Sequence, residues 1–397
     1  MPSLFSPAAR RGLGADGSLV VALTLLAAGC VSAPPAVPPT ELAPIESSFT
    51  FARRWAASVE EAGRGRFEPW VDATRVVVAE GDGQVTAFER DSGTRLWRSD
   101  LGTRLASGVG GGIGAGGGAA EALYVGSDDG TVHALDAATG ESLWSAPASS
   151  EVRVAPVGAF GAVIVRSVDG RIVALEPDDG RERWSVSNTP PALTVAGYSR
   201  PLLVDGGVLA GLDDGRVVAF ALDTGRLIWE SVLSVPSGRS EVERLVDIDA
   251  DPLVGDAAIY VVNYQGRAAR LEPARGQVVW SVPMSSTAGL ALGGDRLVVV
   301  DEEDVLHALD RESGRELWSS DALRGRRLSP PLVLDDEGAV LVGDFEGYLH
   351  AVSLEDGSLI GRARPAREPV TARPRADGDT VIVAGEDGRI AVYDIAR

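Results

Sequence analysis

Three carboxylates at alternating positions, Asp247, Asp249 and Asp251, are the residues of this chain best placed by type and spacing to do chemistry. On a strand that spacing puts all three on one face, where they repel one another unless a cation or a basic partner compensates. Alternating oxygens also open a calcium-binding EF-hand loop, but the glycine and the glutamate of that loop are absent here. The blander reading is a solvated acidic loop. Arg244 lies just ahead of the acids, in Glu241-Val242-Glu243-Arg244-Leu245, and Pro252-Leu253 closes the stretch.

Other reactive types are scattered. His133, His307 and His350 occupy one and the same place in a repeated pattern, directly before an alanine, which marks a packing preference rather than a set of metal ligands. Gly112, Gly114 and Gly117 spell a formal G-x-G-x-x-G, yet a strand-like stretch, Ala122-Leu123-Tyr124-Val125, follows where a dinucleotide site needs a helix. We read that run as an inner strand or loop near an axis. Cys30 is the only cysteine, which excludes an intramolecular disulfide and a cysteine-based metal site. With no Ser-His-Asp set, P-loop or histidine cluster, nothing asks for a cofactor or for catalysis.

The elements that carry these residues are copies of one unit, seen most clearly from Ser127 onward as SDDGTVHALDAATGESLW. Asp128-Asp129-Gly130 is a tight turn, since glycine tolerates positive φ and aspartate bonds its own backbone. A short β-prone run, a second turn ending at Gly140 and a return strand ending at Trp144 complete a hairpin. Trp97, Trp144, Trp184, Trp229, Trp280 and Trp318 recur at intervals of 38 to 51 residues, which suits a four-stranded blade. A seventh copy, ending near Ile360, has lost its tryptophan, and an eighth runs out of chain before its return strand. Phe51-Ala52-Arg53-Arg54-Trp55 is an aromatic-ended strand with no hairpin before it, so it supplies the missing one. The expected fold is all-β: an eight-bladed propeller of four-stranded antiparallel blades, closed by the N-terminal strand. Seven blades is the alternative count, with the seventh unit as an insertion.

Ala134-Leu135-Asp136, Gly140 and Trp144, like Ala308-Leu309-Asp310, Gly314 and Trp318, resemble the tryptophan-docking repeat of the PQQ-type propellers. That resemblance implies that each Trp packs against the next blade.

Acidic residues number 57 against 37 basic ones, all of them arginine, for a net charge of −20. Such a surface repels nucleic acid and anionic headgroups. Arg10, Arg11 and the apolar stretch 19–28 have the layout of an export signal, too short to span a membrane. Leu26-Ala27-Ala28-Gly29-Cys30 resembles a bacterial lipoprotein signal, which implies cleavage before Cys30 and its lipidation; Val31 at the next position implies sorting to the outer membrane. The expected organisation is a signal peptide over 1–29, a Pro/Ala-rich tether over 30–48 that packs poorly, and the propeller over 49–397. On this reading anchoring comes from lipid chains and not from basic residues.

The stretch from Glu241 through Arg244, Asp247 and Asp249 to Pro252-Leu253, ahead of Tyr264-Gln265-Gly266, is similar to a signature of the BamB family, the eight-bladed lipoproteins of the outer-membrane β-barrel assembly (BAM) machinery. The resemblance covers about residues 47–397. It implies a non-catalytic periplasmic scaffold, lipid-anchored in the outer membrane, that binds the POTRA domains of BamA, works with the other BAM subunits and assists unfolded β-barrel precursors. Carried over by motif, the contacts are Asp247, Asp249 and Arg244, with an apolar loop at Leu193-Thr194-Val195-Ala196-Gly197; the family's arginine is replaced by Ala196, and Arg200 lies nearby. A generic periplasmic propeller for ligand or protein binding is the alternative. A quinone-dependent dehydrogenase implies adjacent cysteines and a calcium held in part by asparagine, against one cysteine and only Asn188 and Asn263 here.

Overall fold

The repeat becomes a ring of sheets. The structure, a computed structural model, describes residues 38–60, 67–112, 121–195, 199–255 and 257–396. They form eight four-stranded antiparallel sheets, and among the described residues the only helix is one 3-10 turn, Val242–Arg244. Seven sheets keep sequence order from the innermost to the outermost strand. The eighth is completed by the N-terminal strand Thr50–Ser58, which pairs antiparallel with the C-terminal strand Arg389–Ala396. Second strands such as Arg75–Ala79 and Ala339–Gly343 are buried along their whole length, as expected of strands covered on both faces by neighbouring blades.

Neighbouring blades are joined by tryptophans. The Trp-bearing outer strands have a bulge just before the Trp, which opposes an alanine of the third strand in five blades, as Trp144 opposes Ala134, while Trp280 opposes Arg270 and Trp55 opposes Val392. The ring lies on the turn glycine of the next blade, and its Nε1–H donates to a carbonyl there at 2.7 to 3.2 Å. Gly140 shows why glycine is required: its φ is +74°, and a Cβ would fall 2.4 Å from the Trp97 ring. Trp55 docks on Gly93 of blade one in the same way, so the closing strand brings its own docking residue. Trp70 lies outside this set and rests against Gly111 of blade two's inner strand.

The seventh blade departs from expectation in an instructive manner. Register places Gly361, not Ile360, opposite Ala351 in the tryptophan position. The vacancy is filled by Phe49, 1% exposed, whose backbone lies where a Cβ on Gly361 would be and whose N–H bonds the Ile360 carbonyl at 3.0 Å. Residues 40–48, expected to be loose tether, are therefore seated together with Phe49. The Thr40 N–H donates to the Arg324 carbonyl, Arg326 Nη1 to the Thr40 carbonyl, and Arg362 Nη1 to the Ala43 carbonyl. Cys30 and the signal stretch, like Gly114 and Gly117, lie outside the described residues.

The three histidines share one register position, opposite Val125, Val299 and Val342 in blades two, six and seven. The fold keeps them in separate blades rather than gathering them.

Candidate functional site

Long connections between blades lie on one face of the ring, together with the turns between second and third strands. We call this the loop face. Two of its connections carry the residues singled out by sequence, 188–201 entering blade four and 233–252 entering blade five.

The acids are not on a strand. Residues 245–251 are irregular, and the inner strand of blade five begins only at Leu253. Nor do they form an exposed face: Asp247 is 1% and Asp249 2% exposed, on either side of the fully buried Ile248. Ile248 is held because Gly211 leaves room for it, its Cγ2 lying 2.4 Å from where a Cβ would project.

What the acids do is tie the two connections together. The Val195 N–H donates to Asp247 Oδ2, and the Arg200 N–H donates to Asp251 Oδ1 at 2.7 Å. The loop predicted from sequence and the acidic segment are thus brought into contact. Held this way, Leu193 and Val195 remain 42% and 37% exposed. Arg244 is exposed on the 3-10 turn, bonded to Glu241 and to the Gly238 carbonyl, beside the exposed Val242. Ala196 lies outside the described residues. Arg200 does not point outward to replace the family arginine; its guanidinium bonds Glu68 Oε2 at 2.8 Å, and Glu68 also binds Arg375.

A second layer supports this contact from beneath. Arg166, on blade three, donates to the Ser199 and Gly211 carbonyls at 3.0 and 2.8 Å and pairs with the buried Asp213 at 2.6 Å. One arginine therefore faces a cluster that includes Asp213, Asp247 and Asp249. Burial pushes the Asp247 carboxyl up to about 7, and repulsion from Asp249 and Asp213 adds to it, while the Val195 N–H and Arg166 act in the opposite sense. Sequence reasoning missed Arg166, although a signal exists. The second strands of the other blades end in Ala79, Gly126, Gly211, Val262, Val300, Gly343 and Ala384; Arg166 is the one charged residue at that position.

The donor set has no arrangement for a metal: among the described residues no group of three His, Cys, Asp or Glu side chains converges. The arrangement is that of a rigid support for an exposed, partly apolar loop.

Fold and site together define a tryptophan-docked, eight-bladed propeller with a buttressed, partly exposed loop. The family model described as outer membrane protein assembly factor BamB matches residues 81–320 and 302–397. The chain is 37% identical to the factor of that name from Pseudomonas aeruginosa over 95% of this chain and 98% of the relative, and 31% identical to that of Bordetella pertussis over 96% and 98%. The crystal structure of BamB from Moraxella catarrhalis superposes with a TM-score of 0.80 at 24% identity, covering 87% of this chain and all of that one. The quinohemoprotein alcohol dehydrogenase of Comamonas testosteroni shares the fold alone, with a TM-score of 0.67 at 14% identity. This chain belongs to the BamB family.

Proposed function

We propose that this protein is a non-catalytic scaffold of the BAM complex, lipid-anchored through Cys30 at the periplasmic face of the outer membrane. It binds the POTRA domains of BamA and, beside the other subunits, assists the folding and insertion of β-barrel precursors. The observation that carries this reading is the joining of Val195 and Arg200 to residues 245–251 through the buried Asp247 and the half-buried Asp251. The roles within the site divide accordingly: Leu193, Val195 and Arg244 are exposed and make the contact, whereas Asp247 and Asp251 hold the loop in shape through its backbone, with Asp249 buried beside them. A loop fixed before binding loses less conformational entropy when a partner arrives.

The test is a pull-down of the periplasmic domains of the same species' BamA with the purified protein. Leu193→Asp with Val195→Asp should abolish capture and leave the melting temperature within about 2 °C, because surface changes cost within about 0.5 kcal/mol. Undiminished capture by this variant would remove the loop from the interface. A well-folded wild-type chain that captures nothing would instead favour a generic periplasmic propeller.

A further inference from the structure

Net charge conceals a local exception at the loop-face end of blade seven. Arg327, Arg364 and Arg367 are exposed there, with Arg362 half-buried among them. The side chains of Arg327, Arg362 and Arg364 meet rings, a histidine and carbonyls, and Arg367 bonds Asp387 through its backbone N–H. The Arg327 guanidinium lies 5.4 Å from the Phe345 ring centre, and that of Arg364 lies 4.8 Å from Tyr348 and bonds the Glu346 carbonyl. Arg362 bonds the Ala43 carbonyl and His350. Of the acids around them, Glu303 pairs with Arg324, Asp344 and Glu346 with Arg326, and Asp387 with Arg389 while accepting the Arg367 N–H; Asp304, which accepts the Arg327 and Leu328 N–H groups, and the exposed Glu368 are the acids left beside the patch.

The N-terminal segment enters the described structure at this same corner. Thr40 is held by Arg324 and Arg326, and Ala43 by Arg362. Nine residues lie between Cys30 and Thr40, so the ten steps from one to the other reach at most about 35 Å when fully extended. A lipid on Cys30 therefore keeps this corner of the ring near a bilayer.

From this the geometry points to a membrane-docking corner on blade seven, in which Arg327, Arg364 and Arg367, set beside Phe345 and Tyr348, bind the headgroups of an anionic phospholipid surface. The placement relative to the membrane rests on the lipid-anchor reading above; the patch itself does not. Anionic headgroups supply charged acceptors for these exposed guanidiniums, and aromatic rings with a polar or charged neighbour suit the interfacial layer. An arginine near an anionic surface contributes about 1 kcal/mol, or about fivefold in occupancy.

The experiment uses the full lipoprotein purified from membranes and mixed with vesicles of pure phosphatidylcholine, or of phosphatidylcholine with about one third phosphatidylglycerol. Flotation reads attachment, and amide hydrogen exchange reads the corner. We expect flotation with both vesicles. Exchange around residues 345–348 and 362–367 should slow severalfold on the anionic vesicles alone, and the difference should vanish in high salt. Arg327→Gln, Arg364→Gln and Arg367→Gln together should remove the protection without detaching the protein, while lysine at the same three positions should restore most of it. Flotation with both vesicles and equal exchange on each would overturn the docking corner and leave the anchor standing. Flotation on anionic vesicles alone would support the corner and overturn the anchor, and flotation on neither would overturn both.

Discussion

Asp247 shows how a residue can matter to a contact it does not make. Its raised carboxyl means that the native state keeps a proton which the unfolded chain, near its ordinary 3.8, has released. Stability from this group is therefore full below about pH 4 and falls as pH rises, with the loss complete above about 7. At about 1.4 kcal/mol per pH unit the effect is on the order of a few kcal/mol. Asp247→Asn keeps a neutral acceptor for the Val195 N–H and should flatten the decline in melting temperature between pH 5.5 and 8. His307, opposed by burial but raised by Asp301 and Glu316, gives a slope of the same sign, so the wild-type minus variant difference is the quantity to measure. A variant that keeps the full slope would show that Asp247 titrates elsewhere. Arg166→Met leaves Asp213 buried without its guanidinium and should cost about 3 to 5 kcal/mol in denaturant unfolding, with the 193–200 loop loosened as well. The acids were legible in the sequence as a motif, but their burial was not, because alternation alone cannot distinguish an exposed strand from an irregular segment packed under a neighbouring loop.

At the scale of the blade, most of the structure was legible because its signals are local. Turn, hairpin and return strand lie within some eighteen residues, and each copy repeats them. The eighth docking residue was not legible, since Phe49 stands far from Gly361 in sequence and differs from tryptophan in type. Both kinds of docking are testable. Trp144→Ala should cost about 3 to 5 kcal/mol as a truncation of a buried aromatic, and Phe49→Ala should fall in the same range if it fills the tryptophan's place. A loss below about 1 kcal/mol for Phe49→Ala would reduce residues 40–49 to a passive covering of blade seven. Gly140→Ala should also destabilise, since its Cβ meets the Trp97 ring and its φ suits glycine.

Across the whole molecule, the ring is held from the middle and from the seam. Glu68 of blade one, 2% exposed, binds Arg200 of blade four and Arg375 of blade eight, so the ion pairs cross between blades that are not all neighbours. No sequence pattern pairs such residues, because only ring closure brings them together. At the seam, Thr50–Ser58 and Arg389–Ala396 come from opposite ends of the chain, and no covalent turn joins them. Opening it would expose the edge of Arg389–Ala396 and uncover the outer strand of blade seven, Leu359–Ala363, and unpaired edges recruit other chains. Removing residues 1–58 should therefore give a protein that aggregates and unfolds at lower temperature. Removing only residues 1–37 should leave a monomer, because the closing strand, Trp55 and Phe49 all remain. Size-exclusion chromatography with thermal unfolding separates the two cases. A monomeric 59–397 fragment melting like the longer one would mean that blade eight is complete with three strands, and that the N-terminal strand serves only to position the segment leading to Cys30.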